Sequence, residues 1–165
     1  FILCVGRFVP YKGHEKAISL GELLNMPVIL AGHGSGEQNL KKLAMKSNTS
    51  VKIFLKPTRE QLRILYSTCK VLLYPGIEDF GIVAVEAIAC GAQVLGISSG
   101  GLLDIVSTEK VGILVPSNKT EILAQGFRSL RNESRMTIRM HCDEFSKLKF
   151  KRIFREYISK IEEQY

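Results

Sequence analysis

Two glutamates with seven residues between them carry the sharpest chemical signal in this sequence. Glu78 ends a loop after an apolar run, and Glu86 lies about a turn and a half into the helix expected to begin near Gly81. Both carboxylates can face a ligand that lies across the first turn of that helix. Free N–H groups there can meet phosphate oxygens, while the carboxylates accept hydrogen bonds from a ribose diol and from sugar hydroxyls. The spacing therefore predicts a site for a phosphate, a ribose and a sugar.

The alternative interpretation of this segment is two solvated acids beside an apolar helix. Small residues follow the second glutamate, at Ala87, Ala89 and Gly91. They imply close packing around Glu86, and this disfavours the alternative.

Two cations follow the first apolar run of the chain. Arg7 and Lys12 lie in a turn that contains Gly6, Pro10 and Gly13 and that opens a helix. Glycine, a cation or a carboxylate follows most of the other strand-like runs as well. A polyanionic ligand that carries a polar sugar would fit such a set of loops.

A glycine-rich loop follows the second apolar run. Gly32, Gly34 and Gly36 come close to a dinucleotide-binding fingerprint, but Glu37 stands where its third glycine belongs. No acidic residue lies between Glu37 and Glu60 to bind a ribose. We expect a tight turn that lets the backbone approach a ligand or a neighbouring loop, and the sequence leaves both possibilities open.

The elements that must position these residues follow a βαβ pattern, in which short apolar runs alternate with longer segments of helical periodicity. The runs are nearly all apolar, as expected where helices cover both faces of a sheet. We predict a doubly wound α/β domain with a parallel sheet, whose ligand lies beyond the carboxyl ends of the strands. The expected strands are residues 1–6, 27–31, 51–55, 70–74, 93–97 and 111–115, and the expected helices are residues 13–25, 36–47, 59–69, 82–91, 101–107, 119–131, 134–145 and 147–163.

The charge of the chain is unevenly distributed. The 165 residues carry a formal net charge of +7. Residues 1–77 hold 11 Lys and Arg against 4 Asp and Glu, residues 78–127 hold 2 against 6, and residues 128–165 hold 10 against 6. A sequence-blind nucleic-acid binder would carry a more uniform basic surface, so we expect localised sites and no nucleic-acid partner.

Composition and cysteine spacing restrict the class of protein further. With 45% hydrophobic residues the chain fits one globular domain. No run approaches the ~20 apolar residues that cross a bilayer. The four cysteines lie far apart in the sequence, which disfavours a disulfide framework or a zinc site and favours a cytoplasmic location.

The segment around the two glutamates resembles the donor-binding domain of the retaining, family 4 type glycosyltransferases, which have two facing Rossmann-like domains. The resemblance rests on the E-x7-E spacing, on the A-x-x-x-G-x-x-V tail that follows it and on Gly100-Gly101. Residues 5–13 are similar to the family's G-R-x4-K-G segment, and residues 111–116 to its late G-x-L-V strand. Two positions depart from the pattern: Lys56, where the family usually has Gly, and Asp104, where it more often has Glu.

The resemblance also implies a domain organisation. It covers residues 2–131, and we expect residues 1–131 to form the donor-binding domain. Residues 132–165 are expected to form helices that pack on this domain and reach toward an N-terminal acceptor domain. This chain alone would then be inactive, because the acceptor half is absent.

The resemblance assigns roles to individual residues. It implies that Arg7 and Lys12 contact the donor pyrophosphate, that Glu78 contacts the transferred sugar and that Glu86 holds the ribose. The expected donor-binding set also includes the backbone of the glycines and apolar residues that flank these groups, namely Gly6, Gly32, Phe80, Gly81 and Ile82. No D-x-D triplet occurs, so no metal or other cofactor is expected.

The implied reaction transfers a hexose, with retention of anomeric configuration, from a nucleotide diphosphate sugar to an acceptor hydroxyl of a glycan or glycolipid in polysaccharide or glycolipid assembly. The Glu-Asp-Phe-Gly-Ile run at residues 78–82 looks like that of mannosyltransferases and favours GDP-mannose, with UDP-glucose as the alternative. Two other functions are a non-catalytic nucleotide-sugar-binding module and a nucleotide-sugar epimerase of related fold. The first is disfavoured by the four charged residues occurring together, and the second by the E-x7-E acids.

Two histidines and the basic terminal segment leave further alternatives. His14 and His33 could act as general bases, but retaining transfer can use the leaving phosphate as its base, so we expect both to be polar surface or loop residues. The segment from Arg128 to Lys160 could face anionic lipid at the cytoplasmic surface of a membrane, or it could be a solvated face that docks on the acceptor domain. We favour docking.

Overall fold

The computed structural model describes residues 1–162, which form a six-stranded, entirely parallel sheet with helices on both faces. The strand order is β3-β2-β1-β4-β5-β6, so the predicted doubly wound α/β fold is confirmed. The strands are β1 (Ile2–Arg7), β2 (Val28–His33), β3 (Val51–Leu55), β4 (Val71–Tyr74), β5 (Val94–Ile97) and β6 (Gly112–Val115). The helices are α1 (His14–Leu24), α2 (Glu37–Lys46), α3 (Arg59–Thr68), α4 (Ile82–Ala89), α5 (Leu102–Ile105), α6 (Thr120–Arg128), α7 (Arg135–Met140) and α8 (Lys147–Glu162).

Two apolar clusters, one on each face of the sheet, explain why the strands are apolar throughout. Along β4, Val71 and Leu73 belong to the cluster beneath α1, α2 and α6, whereas Leu72 and Tyr74 belong to the cluster beneath α3, α4 and α5. Successive side chains of a strand point to opposite faces, so a strand covered on both sides must be apolar at every position. The edge strand β3 is the exception, since Lys52 and Leu55 are exposed.

The terminal segment is less regular than the periodicity predicts. The helix expected over residues 134–145 is wrong as a single element, because α7 ends at Met140 and a 3₁₀ turn follows over His141–Phe145. The tighter turn lets the His141 ring reach the carbonyl oxygen of Ile105, with Nε2 at 3.2 Å. Similarly, α5 covers only part of the expected helix 101–107 and ends before Val106.

The two last helices differ in how they pack. Helix α7 is anchored by Arg135, which donates hydrogen bonds to the carbonyl oxygens of Cys69 (2.7 Å), Gly91 (3.1 Å) and Tyr66 (3.4 Å). These carbonyls lie at the carboxyl ends of α3 and α4, where a cation also opposes the helix dipoles. Helix α8 buries no residue, and the predicted end of this helix at residue 163 lies outside the described residues. Across residues 1–162, no helix combines the length and apolarity needed to pass through a bilayer.

Candidate functional site

The strand order creates a crevice between two neighbouring strands. From β1 the chain runs outward to β3, and it then returns to place β4 on the other side of β1. The connections after β1 and after β4 therefore leave the sheet in opposite directions. Such a switch point opens a crevice at the carboxyl edge of a parallel sheet, where α/β proteins bind ligands. Of the predicted residues, Arg7 ends β1, Lys12 lies in the loop after it, and Glu78 lies after β4.

The crevice brings Lys12 and Glu78 into contact. The Lys12 ammonium forms an ion pair with Oε1 of Glu78, and the Tyr74 hydroxyl donates a hydrogen bond to Oε2 of the same carboxylate. The Lys12 ammonium also lies 5.5 Å from the ring centre of Tyr11 and 6.0 Å from that of Tyr74, within the range of cation–π attraction. About a sixth of the Lys12 side chain and a quarter of the Glu78 side chain remain exposed, at 16% and 24%. The pair is therefore ordered but reachable by a ligand.

Arg7 ends β1 at the rim of this crevice. Its side chain is exposed, and its Nη2 donates to the hydroxyl of Tyr11 at 3.3 Å. Tyr11 thus contacts both cations of the loop, Arg7 through its hydroxyl and Lys12 through its ring. The loop after β1 presents two positive charges from one short segment, as an anionic ligand requires.

Helix α4 begins on the other side of the crevice. Gly81 precedes it with a φ of +102°, a left-handed conformation that favours glycine. Phe80 and Ile82 on either side are both exposed. Gly101 has no room for a side chain, because a Cβ there would collide with the carbonyl oxygen of Phe80, and its N–H donates to the carbonyl oxygen of Glu78 at 2.9 Å. The Gly100-Gly101 pair therefore supports the loop that carries Glu78.

Glu86 lies in a second, separate setting. It is exposed on α4, and its Oε2 accepts a hydrogen bond from the Tyr66 hydroxyl at 3.1 Å. A groove of about 770 Å³ between α3 and α4 is lined by Glu86 and Tyr66 together with basic side chains, among them Arg59, Arg63 and Arg139. Glu78 does not line this groove. The two glutamates thus address different parts of the surface, as a ligand with several chemical parts would need.

Sequence reasoning missed the two tyrosines that contact these glutamates. Tyr66 and Tyr74 are 2% and 5% exposed, and both belong to the apolar cluster under α3 and α4. In the sequence they are aromatic residues of a buried helix face and a buried strand, so the pattern predicts core packing and nothing else. Only the three-dimensional structure shows that their hydroxyls meet Glu86 and Glu78.

The glycine-rich loop after β2 packs against the end of β1. A Cβ at Gly32 would collide with the carbonyl oxygen of Gly6, and the N–H of Gly36 donates to the carbonyl oxygen of Phe8 at 2.8 Å. The backbone of the neighbouring strand β1 therefore gives Gly32 a reason to be glycine. The donor contacts assigned to Gly6 and Gly32 stay predictions.

The expectation for His14 is wrong, whereas His33 is exposed as expected. His14 is 2% exposed, and among residues 1–162 neither of its ring nitrogens has a hydrogen-bond partner. Its ring meets Phe8 edge-on, with 4.9 Å between the ring centres. Burial, with a smaller effect from the Lys12 charge, lowers the pKa of His14 to about 4. Helical spacing could have revealed this position, since His14 precedes the buried Ala17 and Ile18 by three and four residues.

Lys56 shows why its position usually holds glycine in the family that the sequence resembles. It follows β3 with a φ of +48°, in the left-handed region that non-glycine residues seldom occupy. Its N–H donates to the carbonyl oxygen of Gly32 at 3.0 Å, so the strand end is held in this conformation. Lys56 therefore holds a backbone conformation that glycine would adopt more readily.

The described residues offer no metal centre. Within residues 1–162, no three His, Cys, Asp or Glu side chains are grouped so that they could hold a metal ion. The groups available for chemistry at this site are two cations, two carboxylates and the amino end of α4.

A family model described as glycosyl transferases group 1 matches residues 1–148. The match extends past residue 131, where the sequence resemblance was expected to end. A D-inositol 3-phosphate glycosyltransferase of Mycobacteroides abscessus is 34% identical over 135 residues, which cover 76% of this chain and 30% of that protein. An O-antigen chain mannosyltransferase C of Escherichia coli is 25% identical over 159 residues, covering 93% of this chain and 42% of that protein.

The fold also matches solved structures. The crystal structure of Anabaena HepE in complex with UDP aligns with a TM-score of 0.79 and 21% identity, covering 97% of this chain and 49% of that one. At this identity the likeness concerns the fold. The chain spans less than half the length of each of these three proteins.

Proposed function

The chain belongs to the glycosyl transferases group 1 family, and we propose that it forms the nucleotide-sugar-binding part of a retaining hexosyltransferase. The observation that carries this proposal is the crevice between β1 and β4, where Lys12 meets Glu78 beside the amino end of α4. Cations and helix N–H groups suit a diphosphate, and carboxylates suit sugar hydroxyls. The UDP bound by HepE, a protein of the same fold, supports a nucleotide ligand.

The proposed reaction moves a hexose from a nucleoside diphosphate to an acceptor hydroxyl with retention at the anomeric carbon. Arg7 and Lys12 stabilise the negative charge that develops on the departing diphosphate. Fixed charges directed at such a developing charge often provide the largest single contribution to catalysis. The backbone of Phe80, Gly81 and Ile82 binds the donor on the other side of the crevice.

The two glutamates divide the remaining contacts. Glu78 binds hydroxyls of the transferred sugar, or it supports positive charge at the anomeric carbon. Glu86 accepts hydrogen bonds from the ribose diol in the groove between α3 and α4. Glu78 is already engaged by Lys12 and Tyr74, so we assign it a positioning and electrostatic role and not that of a nucleophile.

For the donor we propose GDP-mannose. The E. coli relative is named a mannosyltransferase, and the run at residues 78–82 resembles that of mannosyltransferases. Titration calorimetry of this chain with GDP, UDP and ADP identifies the nucleotide base that the donor site prefers. If UDP binds most tightly, the proposed donor becomes UDP-glucose. If none of the three binds, the donor site itself is contradicted.

The site assignment is tested by changing one charge at a time. We expect Glu86→Gln and Arg7→Gln each to weaken nucleoside diphosphate binding by about ten-fold or more, because each removes a charge-assisted contact. Glu60→Gln and Arg128→Gln are the matched controls, the first in the same groove and the second on the exposed end of α6. In the full-length protein, Glu86→Gln and Arg7→Gln should also abolish most turnover. Near-native binding and turnover in either variant would contradict the assignment.

We further propose that residues 1–131 form the donor domain and that the terminal helices link it to an acceptor domain. The length of the relatives beyond this chain supports a second domain. The apolar side of α8 supports the contact, since it forms with Phe80 a cavity of about 580 Å³, lined among others by Phe145, Phe150, Ile153, Phe154 and Tyr157. Helix α8 buries none of its described residues within this chain, as expected of a helix that packs against another domain.

A membrane is the other possible partner of this basic, apolar helix. Liposome co-sedimentation of the full-length protein at low and high salt separates the two. Absence of lipid binding fits a protein–protein contact, whereas salt-sensitive sedimentation would place α8 on anionic lipid. The four cysteines are unpaired, which supports a cytoplasmic site of action, at the inner membrane face if lipid binds.

A further inference from the structure

Each glutamate of the E-x7-E pair is contacted by a different buried tyrosine. Tyr74, the last residue of β4, donates to Oε2 of Glu78, and Tyr66, on α3, donates to Oε2 of Glu86 at 3.1 Å. Both rings are fixed by the apolar cluster beneath α3 and α4. The two hydroxyls therefore occupy set positions, whereas the exposed Glu86 and the partly exposed Glu78 would otherwise be free to change rotamer.

Both hydroxyls remain protonated in the working range of pH. Burial raises the pKa of Tyr74 to about 12. Burial, followed by the negative charge of Glu86 and the hydrogen bond to it, raises the pKa of Tyr66 well above its ordinary value. A protonated phenol can only serve a carboxylate as a donor, so each contact fixes one carboxylate oxygen. At Glu86 the other oxygen keeps its lone pairs for a ligand, whereas at Glu78 the other oxygen is paired with Lys12.

The contact at Glu78 gains importance when a ligand arrives. Lys12 holds Oε1 of Glu78 in the free protein, yet Lys12 is also the cation expected to meet a diphosphate. Once its ammonium is shared with phosphate oxygens, Tyr74 is the partner that keeps Glu78 in place. At Glu86, Tyr66 occupies Oε2, and Oε1 is left for the groove between α3 and α4.

We propose that Tyr66 and Tyr74 are positioning residues, with Tyr66 orienting Glu86 toward the ribose and Tyr74 orienting Glu78 toward the transferred sugar. This inference rests on the proposed function. It predicts that loss of the Tyr66 hydroxyl affects recognition of the ribose, whereas loss of the Tyr74 hydroxyl affects the transferred sugar. A purely structural role would make them equivalent, since both are buried in the same cluster.

The test removes each hydroxyl and keeps the ring. Tyr66→Phe should weaken binding of GDP to this chain by about ten-fold, the usual effect of one hydrogen bond to a charged group. The same variant should bind 2′,3′-dideoxy-GDP as the unchanged chain does, because that probe lacks the diol that Glu86 would hold. UDP and its dideoxy form serve in the same way if UDP binds more tightly. Tyr157→Phe, on the exposed side of α8 and away from both glutamates, is the control and should leave the affinity of this chain for GDP unchanged.

Tyr74→Phe has a different expected signature. It should leave the affinity for GDP within about two-fold, since no ribose contact depends on it, and it should lower kcat of the full-length enzyme by about ten-fold or more. Thermal melting accompanies each measurement, and affinities are compared at a temperature where every variant is folded.

The outcomes separate the inference from the function on which it rests. Loss of GDP affinity in Glu86→Gln together with unchanged affinity in Tyr66→Phe would overturn the inference and leave the function standing. Equal losses for GDP and dideoxy-GDP in Tyr66→Phe would also overturn it, since that pattern indicates a general structural effect. An unchanged kcat in Tyr74→Phe would overturn the role proposed for Tyr74 in orienting Glu78. Unchanged GDP affinity in Glu86→Gln would contradict the proposed function itself.

Discussion

His14 should make the stability of this domain unusually sensitive to mild acid. Its ring is buried, and within the described residues neither nitrogen has a partner that could stabilise a positive charge. The pKa of His14 lies at about 4 in the folded chain, against an ordinary value of 6.5. Between these two values the unfolded chain binds the proton and the folded chain does not. The free energy of unfolding must therefore fall as the pH decreases from about 6.5 to about 4.

The size of the effect follows from the same two values. One unit of pKa corresponds to ~1.4 kcal/mol, so the full difference amounts to ~3 kcal/mol below pH 4, of which ~2 kcal/mol is already lost at pH 5. Small domains have a total stability of about 5–15 kcal/mol. A single histidine would thus remove a substantial part of it in a range where most carboxylates are still ionised.

Urea unfolding of the chain at pH 7 and pH 5 measures this loss. His14→Leu replaces the ring with an apolar side chain of similar size. Between the two pH values, we expect its free energy of unfolding to fall by ~2 kcal/mol less than that of the unchanged chain. His33→Leu is the matched control, because His33 is exposed, and it should retain the full loss. If His14→Leu and the unchanged chain lose the same free energy of unfolding to within ~0.5 kcal/mol, the assignment of a buried, uncharged His14 is refuted.

Two further substitutions are tested by urea unfolding at neutral pH. Lys56→Gly should leave the free energy of unfolding unchanged or raise it by up to ~1 kcal/mol, because glycine accepts the φ of +48°. The control Lys52→Gly, in the extended strand β3, should lower it by ~1 kcal/mol, and an equal loss in Lys56→Gly would show that the backbone of Lys56 is not strained. Arg135→Met should cost ~2–3 kcal/mol through the loss of three carbonyl hydrogen bonds. Arg131→Met, in an exposed ion pair with Glu109, should cost less than ~0.5 kcal/mol, and similar costs at both arginines would show that the three bonds to carbonyls contribute little.

The sheet was predictable because its physical cause is visible in the sequence. A strand covered on both faces is apolar at nearly every position. All six predicted runs, including the half-exposed edge strand β3, became strands within one or two residues of their expected bounds. The terminal helices were less predictable. Helical periodicity continues from Ser134 to Phe145, but the α-helix ends at Met140 and a 3₁₀ turn follows, in which His141 contacts Ile105, 36 residues earlier in the chain. Local periodicity carries no information about such a tertiary contact.

The candidate site was predictable in its charges and not in what holds them. Arg7, Lys12 and Glu78 stand out because charged residues seldom follow apolar strands without a reason. The crevice that unites Lys12 with Glu78 depends on β4 lying beside β1, which no local pattern reveals. The hydroxyl of Tyr66 meets a carboxylate 20 positions away on another helix. Such a contact is invisible in a sequence where the aromatic ring alone explains the residue.

Glycines near the strand ends of this fold occur for two different physical reasons, which the structure distinguishes. Gly32 lies near the end of β2 and Gly101 directly before α5, and each is glycine because a neighbouring carbonyl oxygen, that of Gly6 in β1 or that of Phe80, occupies the place of a side chain. Gly81 differs, since its left-handed backbone begins α4 and leaves that helix end beside Glu78 and Lys12. Glycines alone would therefore mark too many loops as ligand sites. It is the coincidence of a glycine-initiated helix with converging charges that singles out the crevice between β1 and β4.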